Sequence, residues 1–249
     1  MSKHKNKVLL LDIETKPILA YVWRLWDQNI SLNQIVAPGG TICVGAKWLG
    51  EKEVFFYSDW DDGHQAMVEA MHDLISQADA VITYNGDKFD LPKLTGEFVR
   101  AGLKPPPPPT TIDVYKTVRQ LGFDSGKLDF VGPFLEVGRK MKHEGFSLWS
   151  KVMDGDTRAQ KRMEKYCIQD VRLTERVYMK LRPFIKNHPN MSFDEERSVK
   201  CGACGSKHTQ KRGFRHTKHF SIQRIQCQDC GSWGEGTRRK ISGVAKKAK

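Results

Sequence analysis

Apolar positions recur along this chain with two different periods. Val8–Ile13 is a mostly apolar run between polar flanks, the pattern of a buried strand. Thr41–Trp48 and Val54–Tyr57 are rich in β-branched and aromatic residues, and with Gly50 and Glu51 between them they predict a hairpin. From Asp61 to Gln77 the period becomes helical. Met67, Val68, Met71, Leu74 and Ile75 mark one face, with Asp61 or Asp62 as the expected N-cap. Ala80–Tyr84 predicts another strand, Phe89–Ala101 a helix ending at Gly102, and Ile112–Val114 a short strand. Asp156–Ile185 is the longest helical stretch.

The remaining segments lack either period. Residues 17–40 hold Trp23, Trp26, two prolines and Gly39-Gly40 and predict an irregular insertion. Pro105–Pro109 predict a stiff extended connector. Residues 186–198 form a polar linker. The order of strand, hairpin, helix, strand, helix, strand and then helices predicts an α/β body. Its sheet is mixed, because a hairpin supplies antiparallel strands and the later crossovers supply parallel ones.

Length allows one full-sized domain and a small module. Boundaries are expected at 1–188 for the body, 189–199 for the linker, 200–236 for the module and 237–249 for a basic tail. No apolar run approaches the roughly 18–20 residues that span a bilayer. Val8–Leu11 is too short for the core of a secretory signal. A cytoplasmic protein without a membrane partner is expected.

Charge changes the picture more than composition does. The formal net charge is +12. Residues 198–249 hold thirteen Lys and Arg against two acids, Asp229 and Glu235, so nearly all of the excess lies there. A basic segment on a neutral body points to a polyanion, and nucleic acid is the expected one.

Cysteines divide the chain in the same way. Cys43 and Cys167 stand alone in apolar contexts and predict inert core thiols. Cys201, Cys204, Cys227 and Cys230 form two C-x2-C pairs, twenty-two residues apart. Two thiolate pairs suit one tetrahedral Zn²⁺, and four thiolates leave it no open position, so the ion would be structural. Gly202, Gly205 and Gly231 are placed for the tight turns of a zinc ribbon. Lys207, Lys211, Arg212, Arg215, Lys218 and Arg224 lie between the pairs with Phe214, Phe220 and His216. Basic groups among aromatic ones suit single-stranded nucleic acid, although such modules also dock proteins and the Phe rings can fill a small core.

The carboxylates are the candidate chemistry of the body. Asp12 and Glu14 stand two apart at the end of the first strand, so strand geometry points both to one face. Like charges placed together call for a cation, unless the strand simply runs out into solvent there. Asp90 follows the second apolar strand near a helix start, where a cap would also serve. On the long helix the stripe Met163, Cys167, Val171, Tyr178 and Leu181 is apolar, and Asp170 lies about 60° from its centre. Tyr166 is one turn earlier on the same side. No Arg or Lys occupies that stripe, so a metal shared with Asp12 and Glu14 is expected to neutralise Asp170.

Those residues match a family pattern. Asp12-Ile13-Glu14-Thr15 resembles the first exonuclease motif of the DnaQ-like (DEDD) 3′→5′ exonucleases. Asn85-x3-Phe89-Asp90 resembles the second motif, in the form found in proofreading domains of family B DNA polymerases. Tyr166-x3-Asp170 resembles the third motif of the tyrosine-bearing subclass; the histidine subclass would need His where this chain has Lys165. The resemblance covers roughly residues 7–185. The wording around Trp23–Gln34 and the added zinc module also resemble stand-alone, phage-encoded exonucleases.

The resemblance implies an RNase H-like fold, with a mixed five-stranded sheet flanked by helices, and two-metal hydrolysis of phosphodiester bonds. Asp12 would bridge two Mg²⁺ or Mn²⁺ ions, Glu14 and Asp170 would share the metal that activates water, and Asp90 would hold the second. Tyr166 would position the water. Asp113 would lie behind these ligands or serve as a cap. The substrate would be DNA, as single strands or 3′ ends, with RNA the alternative and a replication protein a further partner. The rival expectations are an exoribonuclease of the same fold and a non-catalytic nucleic-acid-binding accessory protein.

Overall fold

A computed structural model describes residues 6–191 and 199–241. Most of the expected linker and the end of the basic tail, with Lys246, Lys247 and Lys249, lie outside the described residues. The chain forms two compact units, one spanning Lys7–Tyr178 and the other including the described residues from Met179 onward.

The first unit opens with β1 (Val8–Lys16) and β2 (Leu19–Ala20), followed by β3 (Ile35–Ala37), β4 (Gly40–Trp48) and β5 (Phe55–Ser58). Next come α1 (His64–Ser76), β6 (Ala80–Thr83), α2 (Asp90–Arg100), β7 (Thr110–Asp113) and α3 (Val114–Gln120). It ends with α4 (Leu128–Phe134), α5 (Phe146–Met153) and α6 (Thr157–Leu181). Five strands form one sheet in the order β5-β4-β1-β6-β7. β4 pairs antiparallel with both β1 and β5, while β6 runs parallel to β1 and to β7. The sheet is therefore mixed, and for the expected reason: the hairpin comes first and the crossovers follow.

Both sheet faces are covered. Leu9, Leu11 and Ile13 of β1 join Val44 and Ala46 in a core with Met67, Met71 and Ile75 of α1 and Leu94 and Phe98 of α2. A second cluster holds Ile42, Cys43, Leu148, Val152, Met163, Tyr166 and Cys167. A strand alternates its side chains, so the residues between Leu9, Leu11 and Ile13 project away from α1 and α2.

Three local expectations differ from what is found. The N-cap of α1 is Gly63, at φ 84°, and neither Asp61 nor Asp62. Both acids bind the preceding turn instead; Asp62 accepts a hydrogen bond from the Ser58 N–H at 2.8 Å. β1 continues through Glu14 to Lys16 rather than stopping at Ile13, because β4 offers it a long antiparallel partner. Residues 17–40, expected to be irregular, do contain a short ladder of β2 and β3, with Trp23 and Trp26 exposed. The long helix matches its expectation, and Asp156 caps it by accepting from Arg158 N and Ala159 N at 2.8 and 2.9 Å. Among the described residues no helix is long and apolar enough to cross a membrane.

The second unit contains β8 (Thr209–His216), β9 (Phe220–Cys227) and β10 (Trp233–Lys240). They form an antiparallel sheet in the order β10-β9-β8. Ile222, Ile225, Cys201 and Cys227 are buried, while Phe214 is exposed, so the small interior is built from isoleucine and cysteine.

Candidate active site

Three distant segments bring acids to one face of the sheet. Asp12 and Glu14 sit on β1 opposite Gly45 and Cys43 of β4. They point away from Leu11 and Ile13, toward the side on which Tyr166 and Cys167 of α6 pack. Gly45 allows that close approach. A Cβ there would lie 3.0 Å from Cys167 Sγ and 3.0 Å from Val171 Cγ2, so a side chain would push the helix outward. With α6 seated, ligand oxygens of Asp12, Glu14 and Asp170 lie within 4.8 Å of one another.

Asp90 stands beside this group. It is buried at the first turn of α2, and its Oδ1 accepts from the Ile13 N–H, between Asp12 and Glu14, at 3.1 Å. The turn that delivers it is tight. Asn85 has φ 68°, and a Cβ on Gly86 would meet the Thr83 side chain at 2.4 Å. Asp113 stabilises the turn. Its Oδ1 accepts from Asn85 N at 2.8 Å and from Tyr115 N at 3.0 Å, which makes it the N-cap of α3 and a tie to the Asp90 loop.

The electrostatics follow from crowding. Asp12 is pushed well above the usual carboxylate range, first by burial and then by Asp90, Glu14 and Asp170. Glu14 is pushed up to about 8 by burial and Asp170, against the pull of Lys140. Asp90 is pushed up to about 7 by burial, although the Ile13 N–H favours its charge. Four acids that resist ionisation together form a site that gains from a cation.

One cation is already present, and it corrects an expectation. The α6 stripe lacks Arg and Lys, yet Asp170 is not left to a metal alone. Lys140, thirty residues earlier in an irregular segment, places Nζ 2.6 Å from Asp170 Oδ2. Helical periodicity describes one element and is blind to a partner delivered by another. Asp170 Oδ1 is buried without a hydrogen-bond partner, so half of the carboxylate remains available.

Tyr166 is buried and belongs to the same cluster. Burial, followed by the Asp170 charge one turn along the helix, raises its pKa, while Lys140 pulls the other way. Lys140 Nζ lies 4.9 Å from the Tyr166 ring centroid, and His143 packs edge-on against the same ring at 4.9 Å. Lys165, the alternative position on the helix, is exposed. Lys140 and His143 were missed in the sequence. The run Arg139-Lys140-Met141-Lys142-His143 reads there only as a basic stretch after Gly138, with no period to orient it.

A second ligand group lies in the C-terminal unit. Sulfur atoms of Cys201, Cys204, Cys227 and Cys230 fall within 4.8 Å of one another. Cys201–Cys230 and Cys204–Cys227 are each 3.6 Å apart, and all four thiols are free. Gly205 and Gly231 have φ of 74° and 80°, the left-handed turns that follow each pair. This arrangement is compatible with a zinc ribbon. Lys207, Lys211, Arg212, Arg215, Lys218 and Arg224 are all exposed there.

Comparison with known proteins bears on the first unit. Residues 37–182 match the model of the RNase H superfamily. The match includes Asp90, Tyr166 and Asp170 and begins after Asp12 and Glu14. Among solved structures, the chain is similar to the family B DNA polymerase from the hyperthermophilic archaeon Pyrobaculum calidifontis, with a TM-score of 0.55 and 17% identity. The likeness covers 72% of this chain and 25% of the polymerase, and at that identity it shows the fold. No curated protein matches the sequence.

Proposed function

Because this chain belongs to the RNase H superfamily, we propose that it is a metal-dependent 3′→5′ exonuclease acting on the phosphodiester bonds of DNA. One observation carries the reading: Asp12, Glu14 and Asp170 converge within 4.8 Å, beside Asp90. The structural likeness to a family B DNA polymerase and the three motif resemblances support the finer assignment to the tyrosine-bearing DEDD exonucleases.

The donor set fits divalent metal. Carboxylate oxygens suit hard cations such as Mg²⁺ and Mn²⁺. The unpartnered Asp170 Oδ1 is a buried acceptor that such an ion would satisfy. Asp12, Glu14 and Asp170 would hold one ion, with Asp12 and Asp90 toward a second. Two bound ions supply charge stabilisation to the attacking and leaving oxygens of the displacement.

The chain's own residues supply position. The Tyr166 hydroxyl, on a ring packed against Lys140, His143 and Trp149, would orient the attacking water. Water adds to the terminal phosphorus and the bond to the 3′ oxygen of the preceding nucleotide breaks. The products are a nucleoside 5′-monophosphate and a strand one residue shorter with a free 3′-hydroxyl. Lys140 keeps Asp170 and Tyr166 in register across the site.

The C-terminal unit would hold one structural Zn²⁺ on its four cysteines and grip the nucleic acid with its basic surface. It would act by tethering, raising the local concentration of strand without entering the chemistry. The test uses 5′-labelled DNA and RNA, single- and double-stranded, with Mg²⁺, Mn²⁺ or EDTA. The expected result is a ladder shortened stepwise from the 3′ end of DNA, absent in EDTA. Internal cuts, or no cleavage with either metal, overturn the reading; degradation confined to RNA overturns the substrate assignment.

A further inference from the structure

The three-stranded sheet of the C-terminal unit has two faces with different chemistry, and strand register separates them. Arg224 of β9 pairs with Glu235 of β10. Ile222 pairs with Arg215 of β8 and with Arg238 of β10. Gln226 pairs with Trp233. Directly paired residues share a face, and residues two apart on a strand share it too. Arg215, Arg224, Arg238 and Trp233 therefore stand on one face. Arg212, in the bulge of β8, joins them by donating to Gln226 Oε1 at 3.2 Å. The other face takes Lys211, Phe214, His216 and Arg239, opposite Ile225, Gln223, Ser221 and Ser221.

Contacts on the first face agree with the register. The Arg224 guanidinium lies 5.8 Å from the Trp233 ring centroid, and that of Arg238 lies 3.9 Å from the Phe220 ring. Arg215 pairs with Glu235. An open hollow of about 360 Å³ is lined by Arg215, Arg224, Trp233, Gly234 and Glu235. Trp233 is 57% exposed, so one large aromatic surface is offered to solvent beside four arginines and one glutamate.

We propose that this arginine face is a single-strand binding platform, on which a base stacks against Trp233 while Arg212, Arg215, Arg224 and Arg238 meet the flanking phosphates. The proposal rests on the nucleic-acid role given above to the C-terminal unit and names the surface that performs it. Charge complementarity selects a polyanion. The exposed indole selects a strand whose bases are unpaired, because a base inside a duplex has no free face to offer. Arginine rather than lysine suits phosphate here, since its planar fork donates two parallel hydrogen bonds and its plane packs on rings. Arg215 and Arg238 flank the buried Ile222 in register, so their stems have apolar footing and lose less freedom on binding.

The experiment measures binding of the full chain to oligothymidylate and oligouridylate by fluorescence anisotropy. An Asp12→Ala background keeps the strand intact, so the outcome does not depend on hydrolysis. Nuclease activity is measured separately on the chain with Asp12, so failure of the platform and failure of the exonuclease reading are told apart. Trp233→Ala and Arg224→Gln should each weaken binding about five- to fifty-fold. Trp233→Phe should retain most of the affinity, because a flat ring remains. Arg239→Gln removes the same charge from the opposite face and should change affinity less than about two-fold. Zinc content and the far-ultraviolet spectrum verify that each variant folds, and Trp233→Phe against Trp233→Ala isolates the ring. Equal losses for Arg239→Gln and Arg224→Gln would overturn the face. An unchanged Trp233→Ala, or a blunt-ended duplex that binds as tightly as the single strand, would overturn the stacking role.

Discussion

The body and the C-terminal unit reach order by opposite routes. In the body, a large apolar interior on two sides of a sheet holds the frame, and the acids are carried into place by it. Asp12 and Asp170 meet across more than a hundred and fifty residues only because β1, β4 and α6 pack. In the C-terminal unit the ligands are close in sequence and the interior is little more than Ile222, Ile225 and two of the cysteines. A unit of that size cannot bury enough apolar surface to fold on burial alone. One unit gathers its acids by its fold; the other would make its fold from a metal. The charges are opposite as well: crowded carboxylates in one, an arginine surface in the other.

Substitution in each unit should therefore fail differently. The largest effect belongs to Asp12→Ala. It should lower hydrolysis by roughly a thousand-fold or more, since under the proposed mechanism it removes a group that would bridge both ions. The folded body and the zinc content should be unchanged, as seen by circular dichroism and metal analysis. An Asp12→Ala protein of ordinary activity would end the carboxylate assignment.

Next comes Tyr166→Phe. A hydroxyl that orients water matters less than a ligand, and a loss of roughly 10–1000-fold is expected, chiefly in kcat. Single-turnover rates measure it. If the variant were fully active, Tyr166 would be a packing residue against His143 and Trp149 and nothing more.

Removing residues 198–249 tests the other side of the comparison. KM should rise by about ten-fold or more while kcat changes little, because contacts made equally in ground and transition states cancel from kcat. Affinity for an oligonucleotide should also depend less steeply on salt, as fewer phosphates are neutralised. Equal slopes with and without the segment would leave the basic surface to a protein partner. Cys204→Ser should approach the same phenotype by a different path. Amide exchange should accelerate across β8–β10 and remain slow in β1, β4 and α6, because only the unit that zinc would staple loses its order.

The smallest effect is thermal and depends on pH. Glu14 titrates near 8 in the folded chain, above its ordinary value of 4.5. Between those values the folded, magnesium-free body binds more protons than the unfolded chain, so its stability falls as pH rises through that window. Divalent metal needs the deprotonated acids and competes with those protons. Added Mn²⁺ should therefore raise the melting temperature of the body more at pH 8.5 than at pH 5.5. An equal rise at both would separate the metal from these carboxylates.

Much of this molecule was legible in its sequence, and the reason is locality. Alternation placed Asp12 and Glu14 on one face of β1, a helical period placed Tyr166 and Asp170 on the buried side of α6, and a spacing of two placed each cysteine pair on one turn. Such patterns depend on a few neighbouring residues, so the amino-acid order alone determined the element types, the mixed sheet and the two groups of candidate ligands. What only tertiary structure decided depends on distance. Lys140 reaches Asp170 from another segment, Asp90 is tied to the Ile13 backbone, and Gly45 lets α6 settle against β4. Arg215, Arg224 and Arg238 are gathered on one face of the C-terminal sheet, away from Lys211 and Arg239, by a register that no local period carries, because two bulges shift it and three strands must pair before a face exists.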